Sequence, residues 1–334
     1  MNPARSIALA ALAALPALAQ GEGGAPPVEP ALELVERRLG VMGTDLQLTV
    51  LGEDRAALEA TLDAAEAELR RVEDRFTSWR DSELTRLNAA AGQGPFEVSS
   101  EQARLVARAL RVSELTGGAF DITFASVGKL WDFKADPPRI PSAEAIQAAL
   151  VHVGYAKVKV DLERSTIELP AGTRIGLGGM AKGYGVDCAM QVYLQRGIKH
   201  GMVNAGGDLK ALGLKHGKPW EIAIKHPRDR ERVLAVIPVS NTCVVTSGDY
   251  ERFVEVDGKR YHHILDPRTG YPSTGCMSAT VIAPDATLAD ALATALCVLG
   301  PEAGLKLVNG LRRVEALVVG LDGTVHRSAG LPAR

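Results

Sequence analysis

The run YHHILDPRTGYPSTG, residues 261–275, sets His262, His263, Asp266 and Arg268 among glycine and proline turn residues. Loops that carry chemistry have this composition far more often than loops that only join elements. A histidine with an ordinary pKa near 6.5 can take a proton at neutral pH, so the two imidazoles are candidates for acid–base work. Successive residues of a strand face opposite sides, so at most one of the pair can point into a given site.

A second constellation lies in TLADALATALCVLG, which reads as a helix capped by Thr287. Asp290 and Thr294 are four apart there, which puts a carboxylate and a hydroxyl on one helical face roughly 5–6 Å apart at Cβ. Two hard oxygens on one turn suit a magnesium ion. They equally suit a surface aspartate favoured by the helix dipole. GLGGMAKGYGVD, residues 176–187, places glycines and Lys182 ahead of and into a helix; the pattern fits an anion held by backbone amides or tight packing against small residues. NAGGD at 204–208 is ambiguous in the same way. Asp121 in GGAFDIT follows a helix stop and reads as a turn aspartate or a site carboxylate. Trp79 follows a core helix as either a buried rim residue or a platform for a flat ring.

The elements that must position these groups are partly legible. Leu58, Leu62, Ala65, Leu69, Val72 and Phe76 repeat at spacings of four and three, the stripe of an amphipathic helix. A second helix starts at Ser99, with Gln102 completing a capping box, and stops at Gly117-Gly118. A third runs from about Gly178 to Gly197. Short β-rich runs begin at 202, 221, 233, 243 and 279. In RFVEVDGKRYHHIL the Asp257-Gly258 pair between alternating runs is a hairpin signal, and it puts YHHIL on a strand.

With 334 residues and 46% hydrophobic content the chain can bury a sizeable core, and a net charge of −2 provides no field for nucleic acid. Four cysteines, at 188, 243, 276 and 297, form no CxxC pair; free thiols or a disulfide both fit, and a zinc site is not supported. Residues 1–19 place Arg5 before an apolar stretch that ends in Ala17-Leu18-Ala19, the pattern of a cleavable export signal or of an alanine-rich tail. The stretch falls short of the ~20 apolar residues a membrane-spanning helix needs. No lipid-acceptor cysteine follows. The expectation is a signal peptide at 1–19, a flexible lead at 20–30 and one folded region at 31–334, soluble and exported, periplasmic or equivalent, with no transmembrane segment in the mature chain.

In order along the chain, MGT at 42, FTSWRDSELTRLN at 76, GGAFDIT at 117, GLGGMAKGYGVD at 176, NAGGD at 204, TSGDYER at 246, HHILDPRTG at 262 and ADALATALCVLG at 289 together resemble the ApbE family, the FAD:protein FMN transferases. The resemblance implies an α+β, T-fold-like structure of two subdomains with FAD in the cleft between them. It implies magnesium-dependent transfer of FMN from FAD, the substrate, to a Thr or Ser hydroxyl of a partner protein, with release of AMP. The partners implied are redox subunits such as those of sodium-pumping NADH:quinone oxidoreductase or Rnf complexes. By position His263 is the proton acceptor, while Asp266 and Arg268 shape the turn or orient neighbours. The resemblance implies the Gly179 carbonyl, Asp290 and Thr294 as metal ligands, and Met42, Trp79, Ala119, Phe120, Asp121, Lys182 and Ile264 as dinucleotide contacts. Two positions depart from the pattern. Gly176 stands where many members have an aspartate that touches the dinucleotide, and Ala293 where some have a further metal-binding aspartate, whose place a water could take. FAD pyrophosphatase activity and flavin binding without turnover are the competing functions.

Overall fold

Alternating apolar residues pair the first two strands, β1 (Glu33–Val41) and β2 (Thr44–Gly52), which run antiparallel with Val41 opposite Thr44. The residues between them, Met42 and Gly43, have φ of 58° and 69°, the left-handed pair that a two-residue turn requires. The computed structural model describes residues 32–135 and 137–332, so the export-signal and flexible-lead assignments lie outside the described residues. These residues fall in one compact unit.

After β2 come α1 (Arg55–Phe76), α2 (Glu83–Ala89), β3 (Pro95–Glu97), α3 (Ser100–Leu115), the one-turn α4 (Ala125–Gly128), α5 (Ala143–Leu150), β4 (Lys159–Asp161) and β5 (Thr166–Glu168). The second half holds α6 (Ala181–Gln195), β6 (His200–Ala205), β7 (Asp208–Leu212), β8 (Trp220–His226), β9 (Asp229–Val239) and β10 (Thr242–Gly248). It closes with β11 (Phe253–Val256), β12 (Lys259–His262), β13 (Ser278–Ala283), α7 (Ala286–Asn309), β14 (Glu315–Val319) and β15 (Val325–Arg327).

Eight strands form one antiparallel sheet in the order β1-β2-β6-β7-β10-β13-β14-β15. Period-two alternation sorts its two faces. Leu48, Val203, Cys243 and Val245 join the main core with α1, α6 and α7, while Leu51, Met202, Leu209 and Val244 join a second cluster under the β8–β9 hairpin. The predicted stripe of α1 is buried at every position, each leucine contributing about 2 kcal/mol. A third cluster, Val127, Trp131, Ile146, Ala149 and Leu265, packs residues around α4 and α5 against the run after β12. All four cysteines are free. α7 alone among the described helices is long and apolar enough to cross a membrane; it is broken at Gly300 (φ 76°) and most of its first half is buried in the main core.

Three local expectations are corrected. Ser99 does cap α3 by accepting from the Gln102 amide, but the Gln102 side chain is buried without a partner and Glu83 takes the Ser99 amide, so no capping box closes. The cap of α7 is Asp285, not Thr287; both are good cap types two residues apart, and Thr287 instead donates to Asp187 Oδ2 at 2.7 Å. The hairpin forms at Asp257-Gly258 (φ 51° and 71°), yet β12 ends at His262, so His263 and Ile264 lie beyond the strand.

Candidate active site

The first turn of α6 meets α7 at van der Waals limits. A Cβ at Gly183 would lie 2.2 Å from the Ala286 carbonyl oxygen and 2.9 Å from Asp290 Cβ, so only glycine allows this approach. It lets the Gly183 amide donate to Asp290 Oδ2 at 3.1 Å. Asp187, one turn on, locks the same pair of helices by accepting from the Ala286 and Thr287 amides. One residue before Gly183, Lys182 Nζ donates to Asp208 Oδ2 at 2.7 Å and lies 3.6 Å from Asp290 Oδ1. Asp208 comes from the start of β7, after the Gly206-Gly207 turn, whose φ values are 60° and 96°. Both carboxylates are buried, Asp208 at 0% exposure and Asp290 at 1%. Asp290 is therefore an enclosed residue, not the exposed one a polar helix face suggests. Burial opposes the charge on Lys182, but Asp208 and then Asp290 outweigh it and raise its pKa above the ordinary lysine range. Burial and the Asp290 charge oppose ionisation of Asp208, and the Lys182 ammonium at 2.7 Å favours it.

Gly179, three residues before Lys182, faces the next turn of α7. A Cβ there would sit 3.2 Å from Thr294 Oγ1 and 3.2 Å from Phe120 Cε2, so the bare backbone brings Gly179, Thr294 and Phe120 together.

The histidines sit in contrasting surroundings. His262 is buried; its Nε2 pairs with the Ser273 carbonyl at 2.9 Å, and a carbonyl only accepts, so that nitrogen carries the proton and Nδ1 is left bare. Burial lowers its pKa. His263 is half-buried. Its backbone amide donates to the Arg252 carbonyl at 3.0 Å, and its ring Nδ1 lies 3.3 Å from the same oxygen. By the same logic Nδ1–H is the donor, which leaves the Nε2 lone pair free to accept a proton. Burial first, then the Arg252 charge, lowers its pKa to about 4, so the ring is neutral at pH 7. The Lys182 charge acts in the same direction, so the two halves of the site lie within electrostatic reach. Arg252 Nη2 also approaches the Gly43 carbonyl at 3.5 Å, joining the β1–β2 turn to this corner. Next to it Met42 is buried, its Sδ 2.9 Å from where a Cβ of Gly185 would stand.

A family model described as the ApbE family matches residues 42–318. The chain belongs to the ApbE family. A relative named FAD:protein FMN transferase from Treponema pallidum is 36% identical over 313 residues, covering 88% of this chain and 86% of its own length. One of the same name from Klebsiella pneumoniae is 37% identical over 277 residues, covering 80% and 79%. Among solved structures, the ApbE protein of Thermotoga maritima matches with a TM-score of 0.83 at 37% identity, over 89% of this chain and 97% of that one. The flavin transferase ApbE from Vibrio cholerae matches at 0.80 and 31%, over 90% and 98%. The family is one of enzymes, and the α+β architecture expected from the sequence is the ApbE architecture.

The remaining site residues of this ApbE chain are placed unevenly. Ala119, Phe120 and Ile264 are buried. Trp79 stands in the bend between α1 and α2 at 63% exposure, so it is not a rim residue packed into the core. The Asp121 side chain is occupied: Oδ1 accepts from the Thr123 amide and hydroxyl, and Oδ2 from the Tyr155 amide at 2.9 Å. The turn reading of that residue is therefore satisfied in full. Asp266 accepts from the Arg268 amide and guanidinium, the turn-shaping role expected of the pair. At Gly176 a Cβ would meet Ala125 Cβ at 3.1 Å and Phe124 Cε1 at 3.3 Å, so these neighbours fill the place of an acidic side chain. Ala293 lies in the main core.

The oxygen donors fit a hard cation. Among the described residues no three His, Cys, Asp or Glu side chains converge, so the chain builds no nitrogen- or sulfur-rich site. It offers one enclosed carboxylate, a hydroxyl one turn away and a backbone pressed against that hydroxyl, a sparse set of the kind Mg2+ accepts because it retains several waters. Sequence reasoning misses Asp208. It stands out only as the end of NAGGD, and nothing local pairs it with a lysine 26 positions earlier.

Proposed function

We propose that this chain is a Mg2+-dependent FAD:protein FMN transferase, which moves FMN from FAD to a Thr or Ser hydroxyl of a partner protein and releases AMP. The observation that carries the reading is His263: a neutral imidazole with Nδ1 tied to a main-chain carbonyl and Nε2 free. In the reaction the acceptor hydroxyl gives its proton to Nε2 as its oxygen bonds to the FMN phosphorus. The bond between that phosphorus and the bridging oxygen breaks, and the electron pair leaves with AMP. Lys182 supplies fixed positive charge near the phosphates, and Asp290, Thr294 and the Gly179 carbonyl would hold the cation. Bound there, Mg2+ would neutralise charge developing on the phosphate oxygens. His262 holds the loop through the Ser273 carbonyl, and Trp79 offers an exposed ring on which a flat heterocycle can stack.

The names of the relatives support the transferase over a hydrolase, and the fully built histidine support favours turnover over passive flavin binding. Export to the periplasm, with the mature chain starting near Gln20 and the folded region at 31–334, is part of the proposal, as is an acceptor among redox subunits of the sodium-pumping NADH:quinone oxidoreductase or Rnf type. Incubation of the purified protein with FAD, MgCl2 and such a subunit should add the mass of FMN, less water, to the acceptor and release AMP in equal amount. AMP and free FMN without acceptor modification would establish a pyrophosphatase instead, and no AMP at all would leave flavin binding alone.

A further inference from the structure

The Lys182 ammonium lies between two enclosed carboxylates, and it does not share itself equally: 2.7 Å to Asp208 Oδ2 against 3.6 Å to Asp290 Oδ1. Asp290 Oδ2 is committed to the Gly183 amide, so Oδ1 is the oxygen with capacity to spare. That oxygen is also the one nearest the ammonium. A divalent cation arriving at Oδ1 meets a positive charge that would otherwise close on the same atom, and like charges repel strongly where water is excluded. Asp208 is fully enclosed and its Oδ1 has no partner, although a buried carboxylate oxygen left unpaired is costly. A residue kept at that cost is explained by what its other oxygen does.

We propose that Asp208 is a positioning residue that draws the Lys182 ammonium away from Asp290, so that the Asp290 carboxylate stays open to a divalent cation while the lysine charge remains in the site. The inference rests on the reading that Asp290 helps to hold the cation. Without Asp208, Lys182 would pair with Asp290 and compete with the metal. With neither Asp208 nor Lys182 charged, Asp290 would be open again. Direct ligation or general support of the fold by Asp208 predicts no such recovery.

The test is titration of MgCl2 into the full-length purified protein without FAD, followed by calorimetry. Asp208→Asn should weaken Mg2+ binding by about tenfold or more, since breaking a buried pair leaves the partner charge to find another. Asp208→Asn with Lys182→Met should return to within about threefold of the unaltered protein, as the coupling within such a cycle requires. Lys182→Met alone, which leaves Asp208 untouched, should bind at least as tightly as the unaltered protein and keeps the test decisive if Asp208→Asn does not fold. Unchanged affinity in Asp208→Asn, a loss that the double variant does not restore, or weaker binding by Lys182→Met each overturns the proposal. Asp290→Ala separates the two levels. Undiminished binding there overturns the cation reading and this inference together, whereas a loss there beside unchanged Asp208→Asn overturns this inference alone.

Discussion

Around Asp290 two carboxylates are enclosed by two helices and a strand, while around His263 a two-stranded hairpin projects and one main-chain oxygen holds the ring. The first region fixes its geometry through packing: Gly183 pressed on Ala286, Asp187 accepting from the first amides of α7, Lys182 between two carboxylates. The second fixes it through a cluster of stacked rings. Trp131 lies 5.9 Å from Tyr261 and donates Nε1–H to the Gly270 carbonyl, which pins both ends of the loop that contains the histidines. Under the proposed function the two regions would do different work. Charges that would hold a cation and phosphates sit in the more enclosed region; the group that would meet a hydroxyl on another protein sits at a more accessible corner.

The comparison breaks most visibly at Asp290. Asp290→Ala should abolish Mg2+-dependent AMP release, and because the side chain is enclosed and accepts from Gly183 it should also lower the melting temperature, by roughly 2–4 °C per kcal/mol lost. Thr294→Ala should be milder, since a water can replace a neutral hydroxyl. Full activity of Asp290→Ala at limiting magnesium would remove the enclosed half of the site.

His263→Ala should reduce single-turnover transfer by ~100-fold or more with FAD affinity little changed, the range expected for loss of a general base. His262→Ala should cost less in transfer and more in stability, because its ring is buried and bonded to Ser273. A larger transfer loss at 262 than at 263 would reverse the assignment.

The pH profile sharpens the contrast further. With a pKa of about 4, His263 is deprotonated and competent throughout the neutral range, so the transfer rate should be flat above about pH 5 and fall below it with a midpoint near 4. Arg252→Met removes a charge that lowers this pKa, so it should move the midpoint upward. A midpoint near 6.5 in the unaltered protein would mean that partial burial and the Arg252 charge do not act on the ring as stated.

The smallest effect belongs to neither region and calibrates both. Glu101, bonded to Arg71 and to the Tyr184 hydroxyl at 2.7 Å each, ties α3 to α1 and α6. Burial opposes its charge, but Arg71 and Tyr184 outweigh it and lower its pKa from 4.5 to about 2. A depressed carboxylate adds stability above its unfolded pKa and loses it as pH falls toward the folded value. With allowance for solvent screening, Glu101→Gln should therefore cost about 2 kcal/mol at pH 7 and almost nothing near pH 2, as read by urea denaturation, with AMP release at pH 7 unchanged.

Much of the fold and part of the site are legible in the sequence. The α1 stripe, the Asp257-Gly258 hairpin and the Asp290/Thr294 face follow from periodicity and turn chemistry, which are local. The assignments of Gly179 as a metal ligand and of dinucleotide contacts rest on resemblance alone. What stays hidden depends on neighbours distant in the chain: Asp208 finding Lys182, Asp121 spending its carboxylate on Thr123 and Tyr155, Phe124 and Ala125 filling the space at Gly176. The strand expected to carry His263 stops one residue short: the His263 amide makes the next bond of the β11–β12 register, to the Arg252 carbonyl, but among the described residues the Arg252 amide makes no return bond.

The oxygen that orients His263 belongs to the main chain of Arg252, and every residue type has that atom. Mutation at 252 can change the charge and shape of this surface, and can retune the basicity of the neighbouring imidazole, without removing the anchor that sets its tautomer. Orientation is inherited from the backbone, while the charge and shape of this corner are free to drift.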